Sequence, residues 1–299
     1  FAVTLAGGSH GIVPRFDVAD VLSFMEREKI THTLLVPTMI NLLVSSGKIK
    51  DFDVSSVKRM LYGASPMPEA VLVSAMEQMP DALFAQGYGQ TEASPIITAL
   101  GPEFHVVGGA KLRSAGRAAL GVEVAIMDKD DVELPRGEVG EICARGPNVM
   151  LGYWGMEQAS AETLRSGWLH TGDLGYMDED GFVFIVDRAK DMIISGGENI
   201  FSVEVEGAIY SHPSVRECAV VGIPHDEWGE MVHAIVVLKE GHGLNEGELL
   251  AHCRALIAGY KLPRSIEFRS EPLPVSGAGK ILKNELRKPY WENKDRGVN

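Results

Sequence analysis

The chain has 299 residues, 45% of them hydrophobic, with 33 Gly and 15 Pro, enough for a large core in one big domain or two. A formal net charge of −13 speaks against nucleic acid or an anionic membrane as a partner of the whole surface, but leaves room for local basic sites that take phosphorylated small molecules. No apolar run reaches transmembrane length, and Cys143, Cys218 and Cys253 lie far apart without metal spacing, so they read as buried thiols of a reducing compartment.

The chain opens at Phe1 without Met, inside "FAVTL", which reads as a strand and as the continuation of something longer. "DVADVLSFMEREK" follows as a helix that Asp17 can cap, with Val21, Leu22 and Met25 on one face. Then come a strand "HTLLV", a helix "TMINLLVSS", a strand "VKRMLY", a helix "PEAVLVSAMEQM" with Pro68 in its first turn, and a strand "ALFAQ". Strict alternation predicts parallel strands joined by crossover helices, and such sheets bind ligands at the carboxyl ends of their strands. Two glycine-rich loops fall there, "YGASPMP" and "GYGQTEASP".

From about Ser114 to Val186 the pattern changes to strands and turns: "GVEVAIMD", "GEVGEICARG" and "LGYMDEDGFVFIV", with a hairpin signal at Asp180–Gly181. After Arg188 it is mixed. "SVEVEGAIYSHP" reads as a short helix, "ECAVVGI", "HAIVVLK" and "SIEFR" as strands. "NEGELLAHCRALIAGY" reads as a helix with an Asn245/Glu248 capping box and an apolar face of Leu249, Leu250, Cys253, Leu256 and Ile257. The fold class expected is α/β: a parallel-sheet subdomain over about 1–113 and a β-rich subdomain over about 114–189, then a small α+β domain over 190–299.

Several residues suit nucleotide chemistry. The loop "GYGQTEASP" offers the Tyr88 ring, backbone N–H groups, the Thr91 hydroxyl and the Glu92 carboxylate, a set for base, phosphate and Mg²⁺; it would equally suit a plain polar loop. Asp173 in "GWLHTGDLGY" could accept two ribose hydroxyls or simply close an Asx-type turn. Arg188 offers a planar fork of donors after a buried strand, or a solvated charge. "PVSGAGKILK" resembles a P-loop but fails as one, with Pro274 at the first glycine and Ile281 where Ser or Thr should ligate the metal. What remains there is Lys280 on a glycine-flanked loop. The histidines show no paired metal spacing, and His170 reads as structural.

In order, "YGQTE", "GWLHTGD", "VDRAKDMIISGGENI" and "PVSGAGKILK" resemble the acyl-CoA synthetase and adenylate-forming (AMP-binding) enzyme superfamily, most of all its fatty-acyl-CoA ligases. The resemblance implies a two-step acid–thiol ligase using ATP, Mg²⁺ and coenzyme A: an acyl-adenylate forms first, then a thioester. Carried onto matching positions, Tyr88 packs on adenine, with Gly63, Ala64 and Gly89 lining the nucleotide pocket. Thr91 contacts phosphate, Glu92 holds Mg²⁺, and Asp173 and Arg188 hold the ribose. Lys280 bridges the reacting carboxylate and the nucleotide. Lys190 is the pivot of a mobile C-terminal domain, and Gly196 and Gly197 admit the pantetheine arm. A fatty acid is the expected substrate; an aryl acid, a peptide-synthetase-type adenylation domain and a non-catalytic AMP- or CoA-binding remnant are the alternatives. The expected location is cytoplasmic; family members are often dimers, so a homodimer is one oligomeric state the resemblance allows, and the sequence does not fix it. The family's Ser/Thr/Gly-rich phosphate loop is absent from these 299 residues, so the chain is expected to be the C-terminal half to two-thirds of a ligase, inactive in adenylation by itself.

Overall fold

The computed structural model describes residues 2–277 and 279–292. The opening run is a helix rather than the expected strand, α1 (Ala2–Leu5). Gly7 N–H donates to Thr4 O and Gly8 N–H to Val3 O, the paired bonds of a helix that ends on glycine. Leu5 is exposed, and the segment is not among the strands of the first sheet.

The predicted alternation then holds. α2 (Val18–Arg27) starts where the Asp17 carboxylate accepts from Ala19 and Asp20 N–H, and it buries Val21, Leu22 and Met25. β1 (His32–Leu35), α3 (Pro37–Ser45), β2 (Arg59–Gly63), α4 (Glu69–Gln78) and β3 (Leu83–Tyr88) follow, the strands parallel and in register. The alternation is not strict to the end. β4 (Thr98–Leu100) and β5 (Arg117–Ala118) add to the sheet antiparallel, too short to carry a visible period.

The second sheet is antiparallel, in the order β6 (Glu123–Met127), β7 (Gly140–Arg145), β8 (Leu169–Met177) and β9 (Val183–Arg188), with the short α5 (Glu157–Thr163) between β7 and β8. The hairpin at Asp180–Gly181 closes through a longer loop than an Asp-Gly turn alone: Asp178 Oδ1 accepts from Asp180 and Phe182 N–H.

The third sheet comprises β10 (Ile193–Ser195), β11 (Glu198–Ile200), β12 (Val215–His225), β13 (Gly229–Leu238) and β14 (Ser265–Arg269). α6 (Ser202–Tyr210), α7 (Glu246–Arg254) and α8 (Lys283–Trp291) pack with it. The Asn245/Glu248 capping box is present. α7 ends at Arg254, so Leu256, expected on its buried face, lies beyond the helix and is exposed. All three cysteines are free and buried. Among the described residues no helix is long and apolar enough to cross a membrane. The architecture is the expected mixed α/β class, and the first two sheets meet where Tyr88, Ala93 and Ile97 pack against Ile142, Leu169 and Val183.

Candidate functional site

Asp173 is the centre of the site. It sits on β8 opposite Arg188 of β9, a register that brings the two side chains together, and Arg188 Nε donates to Asp173 Oδ1 at 3.1 Å. The Tyr88 hydroxyl, arriving from the end of β3, donates to Asp173 Oδ2 at 3.0 Å. Asp173 and Tyr88 are both buried, while Arg188 is largely exposed. Burial raises the Asp173 carboxyl above its usual range, opposed by Arg188, the Tyr88 hydrogen bond and the nearby Lys280 charge. Burial, with the Asp173 charge adding to it, pushes the Tyr88 phenol well above its ordinary value.

The glycine-rich loops lie at the adjoining strand ends. Gly63 pairs with Gly87 across β2 and β3, and a Cβ on Gly63 would stand 2.1 Å from Gly87 O, so only glycine permits this approach. Ala64 follows in the left-handed region, at φ 70°. At Gly89 a Cβ would stand 1.9 Å from Pro95 O. Thr91 and Glu92 occupy a single 3₁₀ turn, Thr91–Ala93, with Thr91 exposed and Glu92 half-buried. Tyr153 donates its hydroxyl to Glu92 Oε1 at 2.7 Å, and Met150 N–H donates to Glu92 O at 2.7 Å. Asn148 Nδ2 donates to Ala93 O and Ile96 O, at 2.8 and 2.9 Å, and so pins the loop.

Lys280 belongs to a narrow turn between Val275 and Ile281, closed by Ser276 N–H to Lys280 O at 2.8 Å and Gly279 N–H to Ser276 O at 2.8 Å. That turn docks on the first sheet's layer. The Thr38 hydroxyl, in the first turn of α3, donates to Gly279 O at 2.7 Å, and Asn41 Nδ2 donates to Arg216 O at 2.7 Å. The Lys280 charge is consequently felt at Asp173, some hundred residues away in sequence. Ala278 of the same turn lies outside the described residues.

Lys190 is exposed between β9 and β10, and Arg287 donates to its carbonyl at 3.2 Å. Gly196 and Gly197 form the exposed turn between β10 and β11 at φ 61° and 86°, a left-handed pair that side chains disfavour. The structure joins them to Trp228, whose carbonyl accepts from Gly196 N–H at 3.0 Å, rather than to Asp173. Trp228 is itself held between the His225 ring, centroids 4.3 Å apart, and the Arg264 guanidinium at 3.7 Å.

Residues that sequence patterns did not single out are Tyr153, Asn148 and Thr38. The only local signal was the Gly-Tyr-Trp run at 152–154. A separate cluster joins Glu141, Cys143 and His170, whose ligand atoms all lie within 4.8 Å of one another. The Cys143 thiol is pushed up to about 12, burial leading, and Arg165 Nη2 lies 3.2 Å from Glu141. A thiol kept protonated by burial and a carboxylate already paired with Arg165 favour a hydrogen-bonded cluster there over a bound cation. His170 Nδ1, 2.8 Å from Glu141 Oε2 and 3.3 Å from Cys143 Sγ, ties β8 to β7.

Fold and site define an α/β protein in which Asp173 and Arg188 of the second sheet meet Tyr88 at the carboxyl end of a parallel strand of the first, where such sheets take ligands. The chain belongs to the AMP-binding enzyme family: that family matches residues 1–154, and the AMP-binding enzyme C-terminal domain matches residues 204–280. It is 43% identical over 286 residues to a feruloyl-CoA synthase of Amycolatopsis sp, covering 96% of this chain and 57% of that protein. It is 39% identical over 300 residues to the medium/long-chain-fatty-acid–CoA ligase FadD8 of Mycobacterium tuberculosis, covering 98% of this chain and 52% of that one. The o-succinylbenzoate CoA synthetase of Bacillus subtilis, solved with its acyl-adenylate, superposes with a TM-score of 0.81 at 36% identity, covering 95% of this chain and 56% of that one. The chain thus spans about half the length of the curated relatives it matches.

Proposed function

We propose that this chain carries the ribose grip, the lysine turn and the thiol-side glycine pair of an ATP-dependent acid–CoA ligase. The observation that carries the reading is the meeting of Tyr88, Arg188 and the Lys280 charge on one buried carboxylate, Asp173.

In the first half-reaction a carboxylate oxygen of the acid attacks the α-phosphorus of ATP and pyrophosphate leaves. Asp173 and Arg188 hold the ribose hydroxyls. Tyr88, Gly63, Ala64 and Gly89 form the nucleotide wall, with Tyr88 anchored by its hydroxyl so that its ring faces the base. Thr91 contacts phosphate. The half-buried Glu92, already oriented by Tyr153, presents hard oxygen to Mg²⁺, a donor suited to an ion that is usually bound through one or two carboxylates and the phosphates. Bound there, Mg²⁺ would neutralise phosphate charge. Lys280 balances the negative charge developing between carboxylate and phosphate. In the second half-reaction the coenzyme A thiolate attacks the acyl carbon, AMP leaves, and the thiol proton goes to solvent or buffer. This step asks the unit 190–299 to turn about Lys190 relative to 1–189 and to bring Gly196 and Gly197 over the pantetheine arm.

A fatty acid is the proposed acyl donor. An aryl acid is the second reading, favoured by the 43% identity with the feruloyl-CoA synthase. A cytoplasmic enzyme, as a homodimer, completes the proposal. The 299 residues alone are proposed to bind AMP without releasing pyrophosphate, since the phosphate loop is not among them. The test is made in a chain that also carries that loop, over a panel of fatty and aryl acids. Lys280→Ala is expected to slow pyrophosphate release about 10²–10³-fold while a supplied acyl-adenylate is still converted to thioester. Equal loss in both halves would overturn the role of Lys280, and no pyrophosphate release with any acid would overturn the ligase reading.

A further inference from the structure

α6 begins without a capping side chain of its own, because Phe201 occupies the cap position. Its first N–H is taken instead from fifteen residues upstream. Ser202 N–H donates to Asp187 Oδ2, and Ser202 Oγ donates to Asp187 Oδ1 at 3.0 Å. Asp187 is on β9, within the second sheet, whereas α6 packs with the third sheet beyond Lys190. The cap therefore crosses the boundary between the two units.

It also continues toward Lys280. Lys283, the first residue of α8 and three positions after Lys280, donates from Nζ to Ser202 Oγ at 2.7 Å and lies 2.6 Å from Glu206 Oε1. Asp187 and Ser202 are buried, at 2% and 0% exposure, so these bonds are made out of water, where a broken partner is costly. Glu206 and Lys283 balance each other inside the third-sheet unit. Asp187 is the member contributed from outside it, and a rotation about Lys190 that carried α6 away would leave its carboxylate without the helix N-terminus.

We propose that Asp187 and Ser202 form a latch across the Lys190 turn, a pair of positioning residues that hold the orientation in which Lys280 reaches Asp173. The purpose of the latch rests on the ligase reading, but its test does not. Spin labels at Lys129→Cys and Glu240→Cys, exposed turn positions on either side of the boundary, report the docked and undocked orientations by pulsed distance measurement without substrate. The native cysteines are buried and leave these two sites selective.

Ser202→Ala is the discriminating variant, because the bond from Arg188 N–H to Asp187 Oδ1 at 2.8 Å survives it. The docked-to-undocked ratio is expected to fall about fivefold in Asp187→Ala, the scale of a lost helix cap, and about threefold in Ser202→Ala, which loses the hydroxyl's bonds but keeps Ser202 N–H on Asp187. The double variant is expected to fall no further than Asp187→Ala alone, since both changes cut the same run of bonds. A ratio unchanged within twofold in Ser202→Ala, or losses that multiply in the double variant, would overturn the latch. If Asp187→Ala does not fold, Ser202→Ala decides by itself. A latch confirmed in a chain whose ligase assay fails would leave the latch standing and the ligase reading fallen, and the reverse result would do the opposite.

Discussion

At the scale of single residues, Asp173 shows the cost of burying a carboxylate at the proposed ribose site. Its carboxyl is raised chiefly by burial, so in the free chain its charge opposes folding. The sign follows from linkage: a carboxyl whose folded value lies above its unfolded value stabilises while protonated, and that contribution is lost as pH rises through the folded value. Asp173→Asn keeps an acceptor for the Tyr88 hydroxyl and removes the charge. It is expected to stabilise the ligand-free chain by about 0.5–2 kcal/mol at pH 7, the usual scale of a single stabilising substitution. The gain should vanish as pH falls through the carboxylate range, and AMP affinity should drop. Urea melts at pH 7 and pH 3 with AMP titrations check this; a variant less stable than wild type at pH 7 would contradict it. Asp173, Arg188 and Lys280 were legible because their neighbours in sequence form distinctive motifs. Thr38 and Asn148 were not, because their partners lie 241 and up to 55 residues away and nothing local marks such contacts.

At the scale of elements, legibility followed chemistry that acts within a few residues. Asp17 and Asn245 marked their helices because an oxygen placed before the first turn meets free N–H groups there. The start of the chain misled because apolar β-formers fit a short exposed helix as well as a strand when no neighbour decides. β4 and β5 escaped because two or three residues carry no period. The join of β2 and β3 makes a prediction at this scale. Gly63→Ala places a methyl 2.1 Å from Gly87 O, a backbone atom that can yield only if the strands part at their carboxyl ends. The expected cost is about 1–3 kcal/mol, as for other overpacked sites, with AMP binding lost alongside. Chemical denaturation and calorimetry together check it, and unchanged stability would mean the strand ends are looser than this geometry allows.

At the scale of the whole molecule, among the described residues β1–β3 of the first sheet are covered on one face only. Leu35, Met60, Tyr62 and Phe84 lie under the helices and are buried. On the opposite face Leu34 pairs with Leu61 and Leu61 with Ala85, and Leu34, Leu61 and Leu83 are 67%, 37% and 51% exposed. Sheets of parallel strands are almost always covered on both faces, and apolar area left in water forgoes roughly 25 cal/mol per Å². A row of leucines on an uncovered sheet, with β1 at its edge, is also a surface on which copies can associate. The 299-residue chain is therefore expected to bind a hydrophobic dye such as ANS while folded and to associate as concentration rises. Leu34→Lys with Leu61→Lys should cut dye binding severalfold and keep the chain monomeric in sedimentation, with stability changed by no more than about 0.5 kcal/mol, since neither side chain fills the core. Were the double variant to unfold, the face would already be packed against something within the chain. If dye binding and association both persisted unchanged, they would have to come from another surface.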